Sequence, residues 1–450
     1  MAKLLDRVLR PGESLKWRTI QGFLVILFGD AYQHALRLGG NLIMTRLLFP
    51  EAFGLMLIVN LVFAGLHMMS DAGVSQAVIS KGRGKGPEYL NTAWTIMCTR
   101  GITLSVVGCL LAWPISIYYH DPRLIGLILI TALTSFVSGF NSPNQIVYDR
   151  DVKKAHGVFL DAGSQTLAMI CTLIWLWISP TLWALAAYGV FSAVFRLFGS
   201  YLIFQGELPH FHWNKEHASE IMGFGKWILL STAMTFLATQ GDRFIVSHWI
   251  TPAELGIFSV AVALGKFPDQ VAGSITWRLL FPVYSELKEG TSERLTKQAM
   301  RAELTLFAAC APFILVFTLF GNQIIDVMYD HRYHEAGWML SVLALGTIFS
   351  IFNETLIAMM LAHGDSHKTG LLQAFRVALM ISVMWFGGAQ WGLVGLVYAI
   401  AVAPGLFYVV LLYMMRSYNV SPKVELGCMA LILLIVISFW TAFGWPGITH

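Results

Sequence analysis

In the stretch GDAYQHALRLGGNLIMTRLLFP, Gly29–Pro50, the residues Asp30, His34, Arg37 and Asn41 follow one another at spacings of four, three and four. On a helix that spacing puts all four on one face. A guanidinium, an imidazole and an amide held together can grip an anion, and a carboxylate beside them can take up a proton or a cation. Other ionisable residues lie in equally apolar surroundings: Asp71, Asp161, Arg196, Asp242, Arg243, Lys266, Asp269, Arg278, Glu354 and Arg376. Of the cations, six (Arg37, Arg196, Arg243, Lys266, Arg278, Arg376) lie well inside apolar stretches, and Arg100 and Arg301 lie at their edges. Five of those six are arginine, and an excess of arginine suits an anion with planar oxygens such as phosphate.

What positions these residues follows from composition. The chain has 450 residues, of which 56% are hydrophobic and 12% charged, against about 25% charged in a soluble domain. Apolar windows such as Glu425–Phe443, Leu104–Tyr119 and Leu167–Ile178 belong to runs of roughly the 20 residues a bilayer demands. Thirteen spans are expected. The first six are 20–45, 52–77, 91–118, 122–147, 157–179 and 181–205. The next six are 226–250, 255–281, 300–320, 337–361, 370–388 and 392–415, and a thirteenth is 425–443. Loops of one set hold 19 Lys and Arg and those of the other set 3 (Arg46, Arg123, Arg332), which orients the N-terminus to the cytoplasm. Residues 1–19 read as a retained cytoplasmic tail, since no small-residue cleavage site follows a short apolar core.

The chain also repeats itself. LFPEAFGLMLIV (Leu48–Val59) and ITPAELGIFSVA (Ile250–Ala261) share Pro-x-x-[Phe/Leu]-Gly. FNSPNQIVYDRD (Phe140–Asp151) echoes FNETLIAMMLAH (Phe352–His363), and LWALAAYGVF echoes QWGLVGLVYA with Trp183 matching Trp391. Three matches in order, at nearly constant offset, join spans one to six with spans seven to twelve. An even number of spans per repeat gives both halves the same orientation, so the expected fold is all-α and polytopic, with two six-helix lobes in a parallel pseudo-twofold repeat and one extra C-terminal helix. The expected parts are a tail 1–19, a first lobe 20–205, a linker 206–225, a second lobe 226–415 and an extension 416–450. Parallel repeats of this kind mark transporters that bind substrate between the lobes and rock about it.

The polar stripe now has a reason. An arginine facing lipid costs at least about 2.5–3.5 kcal/mol, so Asp30, His34, Arg37 and Asn41 are expected to face a wet cavity. The other buried charges admit two readings. They either bind substrate or hold helices together, as Asp242 with Arg243 and Asp269 with Lys266 would, and Arg278 sits where it can snorkel to the inner interface. Cys98, Cys109, Cys171, Cys310 and Cys428 lack CxxC spacing and read as packing residues. HFHW (His210–Trp213) and HRYH (His331–His334) lack a third ligand at recognisable spacing, so no metal is expected there. GRGKG (Gly82–Gly86) lacks the phosphate-loop pattern and follows an apolar span. No cofactor and no nucleic-acid partner is expected.

Met44–Gly82, MTRLLFPEAFGLMLIVNLVFAGLHMMSDAGVSQAVISKG, resembles the N-terminal signature of the polysaccharide transporter (Wzx-type) oligosaccharide flippases of the multidrug/oligosaccharidyl-lipid/polysaccharide exporter superfamily. The matching residues are Arg46, Leu48, Pro50, Phe53, Gly54, Asp71, Gly73, Ala77 and Ile79. Gln240–Ala261 resembles the second-lobe counterpart. Leu361–Gly370 resembles the segment after span ten, with His363 at a commonly apolar position. The resemblance covers roughly 15–415. It implies two six-helix lobes forming a V in the bacterial inner membrane. It also implies a non-enzymatic role, turning polyprenyl-pyrophosphate-linked oligosaccharide repeat units across the bilayer by alternating access for surface polysaccharide biosynthesis. The candidate pyrophosphate and sugar contacts are then Arg37, Asn41, His34, Arg196, Arg243, Arg278 and Arg376, and the candidate ion-coupling residues are Asp30, Asp71 and Asp161. Membrane lipid, a polysaccharide polymerase and a chain-length regulator are the partners such a role implies.

Two other readings compete. In an H⁺- or Na⁺-coupled multidrug antiporter of the same superfamily the three aspartates bind the cations, but the arginine excess repels a cationic drug. In a membrane-embedded glycosyltransferase or polymerase the loop 321–337, with Asp326, Asp330, His331, Arg332 and His334, carries the chemistry.

Overall fold

The computed structural model describes residues 15–70, 73–81, 86–150, 154–287, 293–362 and 364–415, together with Ala430, Leu434, Val436, Ile437, Trp440 and Thr441. Among the described residues the regular secondary structure is all helical and there is no strand. The helices are α1 (Leu15–Leu47), α2 (Pro50–Met69), α3 (Val74–Lys81), α4 (Gly86–Tyr118), α5 (Arg123–Gly139), α6 (Asn144–Arg150), α7 (Lys154–Ile178) and α8 (Trp183–Ile203). They continue with α9 (Lys215–Trp249), α10 (Pro252–Gly265), α11 (Phe267–Ile275), α12 (Phe281–Leu287), α13 (Glu293–Met328), α14 (Ala336–Ala362) and α15 (Ser366–Met415). Eight described helices are long and apolar enough to cross a membrane, and Arg123–Gly139 is a shorter apolar one. The helices that open the two repeats, α1 and α9, fall outside those eight. Both are diluted by polar residues, Asp30, Gln33, His34, Arg37 and Asn41 in α1 and Gln240, Asp242, Arg243 and His248 in α9.

Several expected spans are interrupted, each for a local reason. Span two stops at Met69 and resumes at Val74 as α3, with Gly73 at φ 59° between them. Span four stops at Gly139 because Pro143 lacks the backbone donor and disfavours a helical Ser142. Its repeat partner, Phe352–His363, has no proline and stays helical through Ala362. Span eight bends at Lys266, ahead of Pro268, and widens to a π-helical turn over Thr276–Leu280. Spans eleven and twelve form one helical run, α15, broken at Gly392 (φ 56°, ψ −132°), a conformation that a side chain at that position would strain. The two limbs fold back so closely that a Cβ on Gly387 would strike the carbonyl of Gly395. Of the expected thirteenth span the six described residues are helical, with Val436 and Trp440 buried in the core around α14, and the rest lies outside the described residues.

The chain divides into two compact units, residues 1–48 with 55–236, and residues 49–54 with 237–450. In the first, α1 packs on α7, α7 on α8, α8 on α5 and α5 on α4. The α4–α5 contact is set by Gly101 and Gly139: a Cβ on Gly101 would lie 2.8 Å from the Cα of Gly139, and one on Gly139 would lie 3.0 Å from the Cα of Gly101. Lipid tails are as apolar as leucine, so helices in a bilayer associate through close backbone approach of this kind. The linker also belongs here. His212 N donates to Thr95 Oγ1 (3.1 Å), Thr95 Oγ1 donates to His212 O (3.1 Å), and Phe211 packs on Trp94 (ring centroids 4.9 Å apart), so the linker lies along α4.

The second unit is built around α14, which packs between α13 and α15 and against α10. Phe307 stacks on Phe352 at 5.3 Å within that core. Helix α10 starts where ITPAELG predicts. Thr251 Oγ1 accepts from Glu254 N (3.3 Å) and Glu254 Oε2 accepts from Thr251 N (2.8 Å), a reciprocal cap with Pro252 at the first helical position.

Candidate functional site

In the first unit α1 is tied to α7 by residues that flank the stripe. Gln165 Nε2 on α7 donates to Gln33 Oε1 (3.0 Å), and Tyr32 Oη and Thr166 Oγ1 share a hydrogen bond of 2.8 Å. His34 and Arg37 are exposed and Asn41 is half-buried. Arg37 makes no hydrogen bond or ion pair with another described residue, and its charge acts on Tyr188 of α8. Arg196 differs. Its Nη1 lies 2.9 Å from Asp161 Oδ1, tying α8 to α7. The structure therefore brings Arg37, His34, Asn41, Arg196 and Asp161 onto three helices packed in series, and leaves the first of these cations without a counter-charge among the described residues.

In the second unit the charges pair differently from the sequence expectation. Lys266 Nζ donates to Asp242 Oδ2 (2.7 Å), so its partner is Asp242 on α9 rather than Asp269. The reason is the bend at Lys266, which ends α10 and aims the ammonium across to the neighbouring helix. Asp242 meets Arg243 only through the backbone: Arg243 N donates to Asp242 Oδ1 (2.8 Å), while Arg243 Nη1 donates to Gln240 Oε1 (3.1 Å). Arg376 Nη1 on α15 donates to Glu354 Oε1 on α14 (2.9 Å) and lies over the ring of Phe407. Asp71 lies outside the described residues, as do the side chains of Asp30 and Arg278. The span-edge Arg100 caps a helix, donating from Nη2 to His67 O (2.7 Å) and from Nε to Ser70 Oγ (3.0 Å) at the end of α2.

The loop before α14 fastens itself together. Asp330 accepts from Arg332 N (3.0 Å) and Arg332 Nε (2.8 Å), bonds that hold its carboxyl below the usual carboxylate range. His334 Nδ1 lies 2.6 Å from Asp326 Oδ1, and Tyr333 is buried beside Tyr329. A second corner is built the same way. Arg123 Nη2 donates to Asp121 Oδ2 (2.6 Å), and the Arg123 side chain holds the Asp121 carboxyl low against the opposing effect of burial. Among the described residues no group of three or more His, Cys, Asp or Glu is placed to hold a metal ion.

Gln33 flanks the stripe in the sequence and Gln165 stands out as a polar residue of span five, whereas Tyr32, Thr166 and Tyr188 come to the stripe only in the structure. Their signal in the sequence is polarity inside apolar spans, which does not reveal which helix each one meets.

An all-α, multi-pass chain with charged residues inside its helices and a parallel internal repeat defines a membrane transporter. The solved structures that it resembles agree on the fold. "Lipid II flippase MurJ, inward closed conformation" matches with a TM-score of 0.67 at 14% identity, over 94% of this chain and 93% of that one. An inward-facing multidrug resistance MATE family transporter of the MOP superfamily matches with a TM-score of 0.62 at 17% identity, over 85% and 93%. By sequence the chain is 20% identical to the lipopolysaccharide biosynthesis protein WzxC of Escherichia coli (strain K12), over 96% of this chain and 86% of that protein. The model of the polysaccharide biosynthesis protein family matches residues 43–338. The chain belongs to that family, and the resemblance to Wzx-type polysaccharide transporters is borne out.

Proposed function

We propose that this chain is a flippase for polyprenyl-pyrophosphate-linked oligosaccharide repeat units. It works in the bacterial inner membrane with its N-terminus in the cytoplasm, supplying surface polysaccharide biosynthesis. The observation that carries this reading is the state of Arg37. Arg196 is neutralised by Asp161 and Arg376 by Glu354, whereas Arg37 faces outward from α1 with no ionic partner among the described residues. An uncompensated guanidinium in an apolar span is best supported by an anion that arrives with the substrate, and pyrophosphate offers bidentate oxygens.

The steps need no bond to be made or broken. Arg37 takes the pyrophosphate, with His34 and Asn41 beside it on the same face. Arg243, whose guanidinium bonds only the neutral Gln240 among the described residues, and Arg278 are further anion contacts. Arg196 and Arg376 contribute once their carboxylate partners yield. The lobes 20–205 and 226–415 are the bodies that alternate access, and the polyprenyl tail stays in lipid. Asp30, Asp71 and Asp161 are the first-half candidates for ion coupling; Asp161 already carries Arg196. A polymerase and a chain-length regulator receive the product. The family membership and the names of WzxC and the lipid II flippase support this reading.

The test is export of the native glycan from cells whose chromosomal copy carries Arg37→Ala, with lipid-linked repeat units followed in the same cells. Losing one charge-assisted contact of about 1.5–3 kcal/mol lowers flux roughly tenfold or more, so repeat units accumulate at the cytoplasmic face. Arg37→Lys keeps the charge, loses the bidentate fork and gives an intermediate loss. Normal surface polymer in Arg37→Ala cells overturns the assignment. The multidrug antiporter reading has the fold match to the MATE transporter in its favour, and it predicts a cationic-dye phenotype on deletion with normal polymer.

A further inference from the structure

Two carboxamides meet where α1 packs on α7. Gln165 Nε2 donates to Gln33 Oε1 at 3.0 Å, and both side chains are half-buried. A primary amide offers two donors and a carbonyl acceptor, so this single bond leaves much of the pair unused. Among the described residues the Gln33 amide nitrogen has no acceptor and the Gln165 carbonyl has no donor. Interchanging O and N on both amides leaves the same set, a free amide donor beside a free carbonyl. Two amides that served only to join helices could close on each other with two bonds; this pair makes one and keeps a donor and an acceptor open. The register of α1 against α7 does not depend on them, because Tyr32 Oη and Thr166 Oγ1 share a 2.8 Å bond one residue away on each helix. Gln33 lies four residues before Arg37, which on a helix is the adjoining position one turn away, about 6 Å along the axis.

We propose that the Gln33–Gln165 pair is a sugar subsite that holds the pyranose joined directly to the pyrophosphate. The idea rests on the lipid-linked oligosaccharide reading, in which Arg37 takes the pyrophosphate itself. Each hydroxyl of a pyranose both donates and accepts. One hydroxyl accepts from Gln33 Nε2, and its neighbour on the ring donates to Gln165 Oε1, so the sugar fills the open positions of both amides and bridges α1 to α7. The one-turn offset between Gln33 and Arg37 matches the step from a sugar-linked phosphate to the ring that it carries. The two halves of the site then differ in what they read. Arg37 holds any pyrophosphate by charge, whereas neutral amides gain nothing from phosphate charge and respond to the hydroxyl pattern of one sugar. A site built to hydrogen-bond a hydroxyl strongly rejects a ligand that leaves its polar groups unpaired.

The experiment measures binding to the purified full-length protein in detergent with two probes: bare polyprenyl pyrophosphate, and the lipid-linked repeat unit extracted from the cells that make it. The proteins are wild type, Arg37→Ala and the double variant Gln33→Met with Gln165→Met. Replacing both amides together by apolar groups of similar shape strands neither partner, so the double variant folds and melts close to wild type. Wild type is expected to bind the repeat unit more tightly than bare polyprenyl pyrophosphate. The double variant loses that preference, binding the repeat unit roughly tenfold more weakly and the bare lipid as wild type does. Arg37→Ala weakens both probes. A wild type without the preference overturns the proposal, as does a double variant that keeps it. Equal weakening of both probes in the double variant also overturns it, because the amides then act only through packing. If the double variant loses the preference while Arg37→Ala binds both probes normally, the role of Arg37 fails and the sugar subsite stands. If wild type binds neither probe, the cargo reading fails and the subsite with it.

Discussion

Gly54 and Gly256 face each other with nothing between them. They close the two Pro-x-x-[Phe/Leu]-Gly segments of the internal repeat, Pro50–Gly54 and Pro252–Gly256. A Cβ on Gly54 would strike the carbonyl of Pro252, and a Cβ on Gly256 would strike the carbonyl of Pro50. The contact is reciprocal, as two copies of one motif related by a local twofold axis require. Around it, Phe53 meets Tyr333 edge-on at 6.3 Å, and the Arg332 guanidinium lies 4.8 Å from the centre of the Phe49 ring. Residues 49–54 accordingly belong to the second unit although they open the second span of the first repeat.

Substituting either glycine with alanine pushes a methyl group into backbone, which cannot give way as a flexible side chain can. Gly54→Ala and Gly256→Ala are each expected to lower stability by about 1–3 kcal/mol, the usual cost of overpacking. Gly163→Ala, in a helix with open space around it, is expected to be neutral or to stabilise by up to about 1 kcal/mol. Melting temperatures of the three purified variants check this. Equal behaviour of all three would show that the crossing is not tightly packed.

The Arg196–Asp161 pair separates structural from substrate roles. The side chains are 36% and 29% exposed, so removing one partner falls between the exposed and the buried case, roughly 1–3 kcal/mol. Asp161→Ala is expected to reduce the amount of folded protein in the membrane, and the reversed pair Asp161→Arg with Arg196→Asp to restore it. If the reversed pair also restores glycan export, Arg196 serves only to join α7 to α8; export lost from a folded protein puts Arg196 at the cargo.

Asp121 predicts an acid limb in stability. Its carboxyl is held low by Arg123 at the corner between α4 and α5. A carboxylate whose folded-state pKa lies below its unfolded value contributes stability that is full above the ordinary value of about 3.9, and that fades as pH falls through the depressed value. Asp121→Asn is therefore expected to melt lower than wild type at pH 7, with the gap closing well below about pH 4. A gap that is constant with pH would mean that the corner is held by packing alone.

The linker predicts a protease footprint. Asn91 Oδ1 accepts from His210 N (3.3 Å), and Thr95 exchanges two hydrogen bonds with His212. Replacing both side chains, Asn91→Ala with Thr95→Val, frees residues 206–214 from α4. Limited proteolysis at those residues is expected to speed up several-fold, at rates governed by local opening, while the rest of the chain stays protected. No change in the cleavage rate would show that Phe211 on Trp94 is enough to hold it.

The sequence by itself determined the class of this protein. Hydropathy over 450 residues fixes membrane solvent, membrane solvent permits only helices or closed barrels, and apolar runs of roughly 20 residues select helices. The repeated Pro-x-x-[Phe/Leu]-Gly motif foretold a duplicated architecture, and ITPAELG marked the start of α10, because caps and motifs are local and their chemistry is read residue by residue. The helical period also put His34, Arg37 and Asn41 on one face. What only the tertiary structure decided is which charges are already spent. Lys266 lies three residues from Asp269, yet it crosses to Asp242 on another helix because α10 bends at that point. Arg196 finds Asp161 and Arg376 finds Glu354 across helix interfaces, while Arg37 finds no ionic partner among the described residues. Pairing depends on interhelical distance and on side-chain direction, and neither is present in one-dimensional spacing. The same limit applies to Gly54 and Gly256, whose motif is visible in the sequence but whose contact exists only once the two copies fold together.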